Sequence, residues 1–130
     1  MPNTKTIRGF FIDPENNTAE ERTIPKSLDS YYSLLRCDTI DIVSRVVGGE
    51  CYDIICDDEG LLKDPHYISA VDHYGKPALV GALFVVKYDG VEDVCDLSEP
   101  DVDNLDLHLV NLIDEKGDNL FTYRALYGLC

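Results

Sequence analysis

Asp57, Asp58 and Glu59 place three carboxylates in succession at the end of a run of β-formers, and the pair Gly48-Gly49 precedes them in "RVVGGECYDIICDDEG". Carboxylates are hard oxygen donors suited to Mg²⁺ or Ca²⁺, and glycine-bounded turns can offer backbone N–H groups to phosphate. The spacing argues against both uses. Adjacent carboxylates on an extended segment diverge, so one ion would need a distant partner such as Asp72 or Asp96. A phosphate loop must feed a helix, whereas Gly48-Gly49 feeds "ECYDIIC", which reads as a strand. Gly48 and Gly49 are therefore assigned to a structural turn. Asp57, Asp58 and Glu59 are kept as candidate interaction residues, with a small metal-assisted enzyme or ligand-binding domain built on them as an alternative.

The remaining chemistry-bearing residues form no recognisable set. His66, His73 and His108 are the only histidines, without an HExxH motif, and His108 falls within a helical pattern beside its apolar stripe. Cys37, Cys51, Cys56, Cys95 and Cys130 are odd in number and contain no CxxC pair, which fits neither a disulfide framework nor a structural zinc site. Asp13, Glu15 and Asn17 begin like a calcium loop, but Thr18 stands where its glycine belongs and Ile24 where its closing glutamate belongs. No catalytic residue, cofactor or metal ligand is assigned. The eight tyrosines, with no tryptophan, are expected to finish the rim of a small core at Tyr31, Tyr52, Tyr67 and Tyr123, or to supply an interaction face.

Twenty-five acidic against eleven basic side chains give a net charge of −14 over 130 residues. Such a surface repels phosphate backbones and anionic membranes, so direct nucleic-acid binding is not expected; the charge suits a basic host or element protein as partner, and solubility alone is the simpler account of it. The longest acidic tract runs from Asp89 to Asp106 with no base in it, and Asp93, Asp96 and Asp103 are its candidate interaction residues. No apolar segment is long enough for a membrane span and the N-terminus does not resemble a signal peptide, so a cytoplasmic protein is expected.

The elements that must position these residues follow from periodicity. Thr4 to Asp13 reads as a strand, and "TAEERTIP" as an edge strand or extended connection. Ser27 caps a short helix reaching Arg36, with Leu28, Tyr31, Tyr32, Leu34 and Leu35 on its apolar side. From Ile40 to Cys56 the period is two, and a type I′ turn at Gly48-Gly49 sets Val47 opposite Glu50 and, in step, Ile42 opposite Ile55. Val43, Val47, Tyr52, Ile54 and Cys56 then share one face, with Ile40, Ile42, Val46, Cys51 and Ile55 on the other. Apolar residues on both faces predict a hairpin central in its sheet. Tyr67 to Val71 reads as a short strand and "LVGALFVVKY", Leu79 to Tyr88, as one buried strand, with Gly81 marking a bulge or a close backbone approach. Ser98, Pro100 and Asp101 open a second helix, with Val102, Leu105, Leu109 and Leu112 or Ile113 facing the core and Gly117 ending it. Residues 120–127 read as a last strand. The fold expected is α+β: a mixed or mainly antiparallel sheet of five to six strands, with a central Gly-Gly hairpin and two packed helices, in a single domain over residues 1–130.

The stretch "LLRCDTIDIVSRVVGGECYDIICDDEGLLK", followed by "LVGALFVV" and "SEPDV", resembles the family catalogued as domain of unknown function 3846, small proteins of phages, plasmids and conjugative elements of Firmicutes. The resemblance spans about residues 27–106 and rests on Val47, Gly48, Gly49, Glu50 and Tyr52, on Gly81, and on the "SEPDV" helix start. The modest loop between Pro65 and Pro77 and the strand-like tail after Gly117 depart from that pattern. The resemblance implies no catalytic role for any residue. It implies an accessory or interaction protein of a mobile element, and with the acidic surface this gives the expected function: a non-enzymatic protein that engages a protein partner. A homo-oligomeric structural module, associating through an exposed edge strand or helix, is a further alternative.

Overall fold

The computed structural model describes residues 5–59, 68–72, 74, 76–88, 94–112 and 123–128. The fold is α+β, with a six-stranded antiparallel sheet and two helices. Strands β1 (Thr6–Asp13) and β2 (Thr18–Pro25) form a hairpin; helix α1 (Leu28–Leu35) leads to β3 (Ile40–Val47) and β4 (Glu50–Asp57). Strand β7 (Leu83–Tyr88) completes the path β2-β1-β7-β4-β3, with β8 (Val94–Cys95) also on β7. Beyond the single sheet anticipated there is a second one, in the order β6-β5-β10-β9, from β5 (Ile68–Val71), β6 (Pro77–Val80), β9 (Leu109–Leu112) and β10 (Tyr123–Leu126). Its β10–β5 pair is parallel.

Gly81 explains the division. "LVGALFVVKY" is two strands, because Gly81 takes φ +81° and turns the chain out of β6, in the second sheet, into β7, in the first. A left-handed backbone here is costly for any residue with a Cβ. The second helix also ends earlier than its apolar stripe suggests. Helix α2 runs over Glu99–Leu107, His108 is its C-cap, and Leu109 and Leu112 belong to β9, which pairs antiparallel with β10. The residues read as the second half of a helix therefore make a strand. Gly117 lies outside the described residues, as do Asp93, His66, His73 and Tyr67.

The six-stranded sheet is covered on both faces. Phe10, Ile12, Val47, Tyr52, Ile54, Cys56, Leu83 and Val85 pack with Ala70, Leu97, Leu105 and Leu126 from the second sheet, α2 and the segment leading into it. Ile7, Phe11, Ile55, Phe84 and Val86 meet Tyr31 and Leu35 of α1. Strand β4 feeds both cores from alternate residues, and each fully buried isoleucine contributes about 1.5–3 kcal/mol by leaving water. The two predicted helix starts are present. Ser27 Oγ accepts the Ser30 N–H at 3.2 Å, and Ser98 with Asp101 makes a reciprocal capping box.

Asp13 ties the first hairpin to the end of α1. Its buried carboxylate accepts hydrogen bonds from Arg36 Nη2 at 3.1 Å and Asn16 Nδ2 at 2.7 Å. Burial alone would raise its pKa, but the Arg36 guanidinium and the Asn16 amide outweigh burial and hold it below the ordinary carboxylate range. A folded-state pKa below the unfolded one stabilises above the unfolded value and is lost as pH falls through the folded one. Thermal melts at pH 7 and pH 2 should therefore show Asp13→Asn less stable than the wild type at pH 7, with the difference shrinking toward pH 2.

Candidate functional site

The Gly48-Gly49 turn forms as the alternation predicts, with every pair from Val47↔Glu50 to Ile42↔Ile55 in the expected register and the ladder continuing to Ile40↔Asp57. Gly48 and Gly49 take φ +60° and +84°, as a type I′ turn requires. The hairpin enters the sheet through β4, while β3 is an edge strand. One predicted face is buried: Val47, Tyr52, Ile54 and Cys56 all lie in the core that contains Leu105 of α2. On the other face Ile55 is buried and Ile40 is half-buried against the α1 cluster, whereas Ile42 and Val46 of the edge strand β3 and Cys51 of β4 are exposed.

Helix α2 docks on the turn end of this hairpin through a network of polar side chains. Asn104 Nδ2 donates to Val47 O and to Tyr52 Oη, both at 2.9 Å. Tyr52 Oη donates to Asp101 Oδ1 at 3.1 Å, and Asp101 Oδ2 accepts from Ser98 N at 3.0 Å and Ser98 Oγ at 2.8 Å. Lys87 Nζ lies 3.3 Å from both Asp101 Oδ1 and Glu50 Oε2, and 4.9 Å from the centroid of the Tyr52 ring. His108, half-buried beside the apolar side of α2, is the C-cap of the helix, with Nδ1 2.7 Å from Asn104 O.

The electrostatics of this joint favour fixed charges over proton transfer. Burial foremost raises the Tyr52 pKa, so the phenol keeps its proton at neutral pH. Burial works against the charged forms of Asp101 and Lys87, yet Ser98, Tyr52 and Lys87 hold the Asp101 pKa down, while Glu50 and Asp101 hold that of Lys87 up. Donors and acceptors are matched to one another, and the constellation acts as a latch between hairpin and helix. Asn104 and Lys87 were missed by sequence reasoning. Asn104 is far from the turn in sequence and sits in no motif, and Lys87 ends an apolar strand as any solvated lysine would.

The predicted acidic residues fall in two separate places. Asp57 and Asp58 line a cleft of about 190 Å³ with Asp41, Val43, Cys56, Ala78, Leu79 and Val80. Glu59 is exposed beside it, its N–H donating to Asp57 Oδ1 at 2.9 Å. Burial first, then Asp41, Asp57 and Asp58, pushes the Cys56 thiol up to about 11, which keeps it protonated and poorly nucleophilic. Among the described residues no group of three or more His, Cys, Asp or Glu is arranged to hold a metal ion. Asp96 and Asp103 are exposed at the other end of β4, before and on α2; Tyr52 and Asp57, which mark the two ends, are about 17 Å apart along the strand. Asp96 is partly engaged, since its Oδ1 accepts the Arg8 N–H at 2.8 Å. Of the tyrosines assigned to the core rim, Tyr31 and Tyr52 are buried, and Tyr67 lies outside the described residues; Tyr74, Tyr88 and Tyr127, which carried no such assignment, are exposed.

The two turn glycines should differ in cost. A Cβ on Gly48 would lie 2.5 Å from His108 Cε1 and closer still to Asn104 Oδ1, whereas one on Gly49 would meet nothing within 4 Å. Asn104 cannot retreat without releasing Val47 O and Tyr52 Oη. Urea denaturation should show Gly49→Ala costing about 1–2 kcal/mol, the left-handed penalty alone. Gly48→Ala should cost about 1–3 kcal/mol more, from overpacking.

Among the described residues no helix is long and apolar enough to cross a membrane. No curated protein and no solved structure matches the chain. One family model does match, over residues 7–109. The match starts in β1, ahead of the helix cap at Ser27, takes in the hairpin and α2, and leaves β10 outside it. The hairpin, the turn glycines and the capped helix that docks on them thus lie within one family pattern, and the chain belongs to the family described as Domain of unknown function (DUF3846).

Proposed function

We propose that this protein is a non-enzymatic interaction protein that uses the outer face of α2 to engage a basic protein partner. The observation that carries the reading is Leu107, 80% exposed, on a helix whose Asp103 and Asp106 are also exposed and whose last turn has no basic residue. An exposed leucine following carboxylates at the end of a helix offers an apolar anchor with acidic residues beside it. The latch supports the same reading. Asp101, Asn104 and Leu105 are turned toward the hairpin and core, so Asp103, Asp106 and Leu107 are held outward on a fixed helix. Such preorganisation lowers the ordering cost of binding, and a net charge of −14 speeds encounter with a cationic surface.

The partner is a basic host or element protein, and the family resemblance supports an accessory role in a mobile genetic element within the cytoplasm. Direct binding to nucleic acid is disfavoured by the same charge. Asp57, Asp58 and Glu59 support the proposal less than the α2 residues, because they lie at the far end of β4. The metal-assisted alternative would rest on their cleft, whose volume of about 190 Å³ is below the ordinary range for small-molecule sites.

The test is capture from the native host's lysate on immobilised protein, with the retained partner identified by mass spectrometry. Reversing Asp103 and Asp106 to lysine should reduce capture roughly tenfold, equivalent to about 1.4 kcal/mol, and leave the melting temperature unchanged. Raised salt should weaken the wild-type interaction. Equal capture by wild type and the folded variant would refute the reading.

A further inference from the structure

The six-stranded sheet ends in β3, whose outer side pairs with no strand among the described residues. The two-residue turn fixes which backbone groups face outward. Val47 and Glu50 close it as a hydrogen-bonded pair, so Arg45, Val43 and Asp41 also direct their N–H and C=O groups toward β4. Two contacts from β4 and its exit agree: Cys56 Sγ reaches Asp41 O at 3.6 Å and the Asp58 N–H donates to Thr39 O at 3.2 Å. The N–H and C=O groups of Ile40, Ile42, Ser44 and Val46 therefore point away from the sheet. On the same residues, the side chains of Ile42 and Val46 are 47% and 49% exposed.

The outward groups are partly covered by the strand's own charged side chains. Asp41 Oδ1 accepts the Ile42 N–H at 2.9 Å, and Arg45 Nη1 donates to Ser44 O at 2.8 Å. Asp41 and Arg45 flank Val43 symmetrically, one acid and one base on the same face of the strand. That spacing is self-complementary. In an antiparallel pair of two β3 strands with Val43 on the two-fold axis, Asp41 of each copy opposes Arg45 of the other. Ile42 then exchanges backbone hydrogen bonds with Ser44 of the other copy, and Ile42 and Val46 become diagonal neighbours across the interface. Moving the axis one residue to Ser44 would set Asp41 against Val47 and Arg45 against Val43, and both charge pairs would be lost.

We infer that a second copy of this chain docks along β3 in the Val43-centred register, joining the two six-stranded sheets into one. The interface is isologous, as a two-fold dimer requires. Pairing replaces the in-strand bonds on Ile42 N–H and Ser44 C=O by inter-strand ones, and frees Asp41 of each copy to meet Arg45 of the other. It also takes an exposed edge and two exposed β-branched side chains out of water. The surface is distinct from the face of α2 proposed for the basic partner, so either reading can fail without the other.

Sedimentation equilibrium of the full chain in buffer of about 0.15 M salt, where opposed charges remain coupled at contact distance, tests the inference. The wild type should sediment as a dimer of the 14.6 kDa chain. Asp41→Arg or Arg45→Asp alone, which sets like charges opposite one another twice across the two-fold, should weaken the dimer roughly tenfold or more. The double swap Asp41→Arg with Arg45→Asp should return it to near the wild-type value. Ile42→Pro removes an outward N–H that the hairpin ladder does not use, and should give a folded monomer by circular dichroism. A monomeric wild type, a dimer indifferent to the single charge changes, a double swap that fails to restore association, or a folded Ile42→Pro dimer would each overturn the inference.

Discussion

One amide nitrogen, Asn104 Nδ2, joins the two halves of the matched region. It donates to the last carbonyl of β3 at the mouth of the turn and to the hydroxyl of a buried tyrosine in β4. Its position has a geometric condition: the turn must present a residue without a Cβ, because the space beside Gly48 is filled by Asn104 and His108. The positive φ that a type I′ turn demands and the missing Cβ that the helix demands fall on the same residue. Gly49 meets only the first demand, so the two glycines of a symmetrical-looking pair have different duties.

The latch organises more than the turn. Asp101 closes the capping box of α2 with one carboxylate oxygen and holds Tyr52 and Lys87 with the other, so the start of the helix and its docking use a single side chain. Lys87 continues the chain of charges to Glu50, the first residue of β4. The Tyr52 side chain fills the core below while its hydroxyl is satisfied above, which resolves the cost of burying a phenol. The outward residues of α2 are thereby left to solvent, and the exposure of Leu107 is a consequence of how Asp101, Asn104 and Leu105 are spent.

Much of this was legible in local chemistry. The glycine pair sets both turn and register, Ser27 and the Ser98/Asp101 box mark helix starts, and the alternation of β4 foretells its two-sided burial. What was hidden depends on distant partners. Leu105, Leu109 and Leu112 suit a helix period, but from Leu109 onward the backbone finds a partner strand in β10, and pairing outweighs propensity. The run around Gly81 is apolar on both sides because both sheets are, and nothing in its composition distinguishes a bulge from a passage between sheets. The exposure of Ile42 and Val46 is hidden for the same reason, because alternation along β3 does not tell an edge strand from a central one. How far Asp57 to Glu59 stand from the α2 acids is also hidden, because only the pairing of the strands shows that the length of β4 separates them.

The most direct test of the account is a double-mutant cycle between Gly48→Ala and Asn104→Ala, followed by urea denaturation. If the added methyl group is costly because Asn104 occupies its space, removing the amide should make Gly48→Ala cheaper, with a coupling of about 1 kcal/mol or more. Additivity within about 0.3–0.5 kcal/mol would mean that turn and helix do not depend on each other, and would contradict the account.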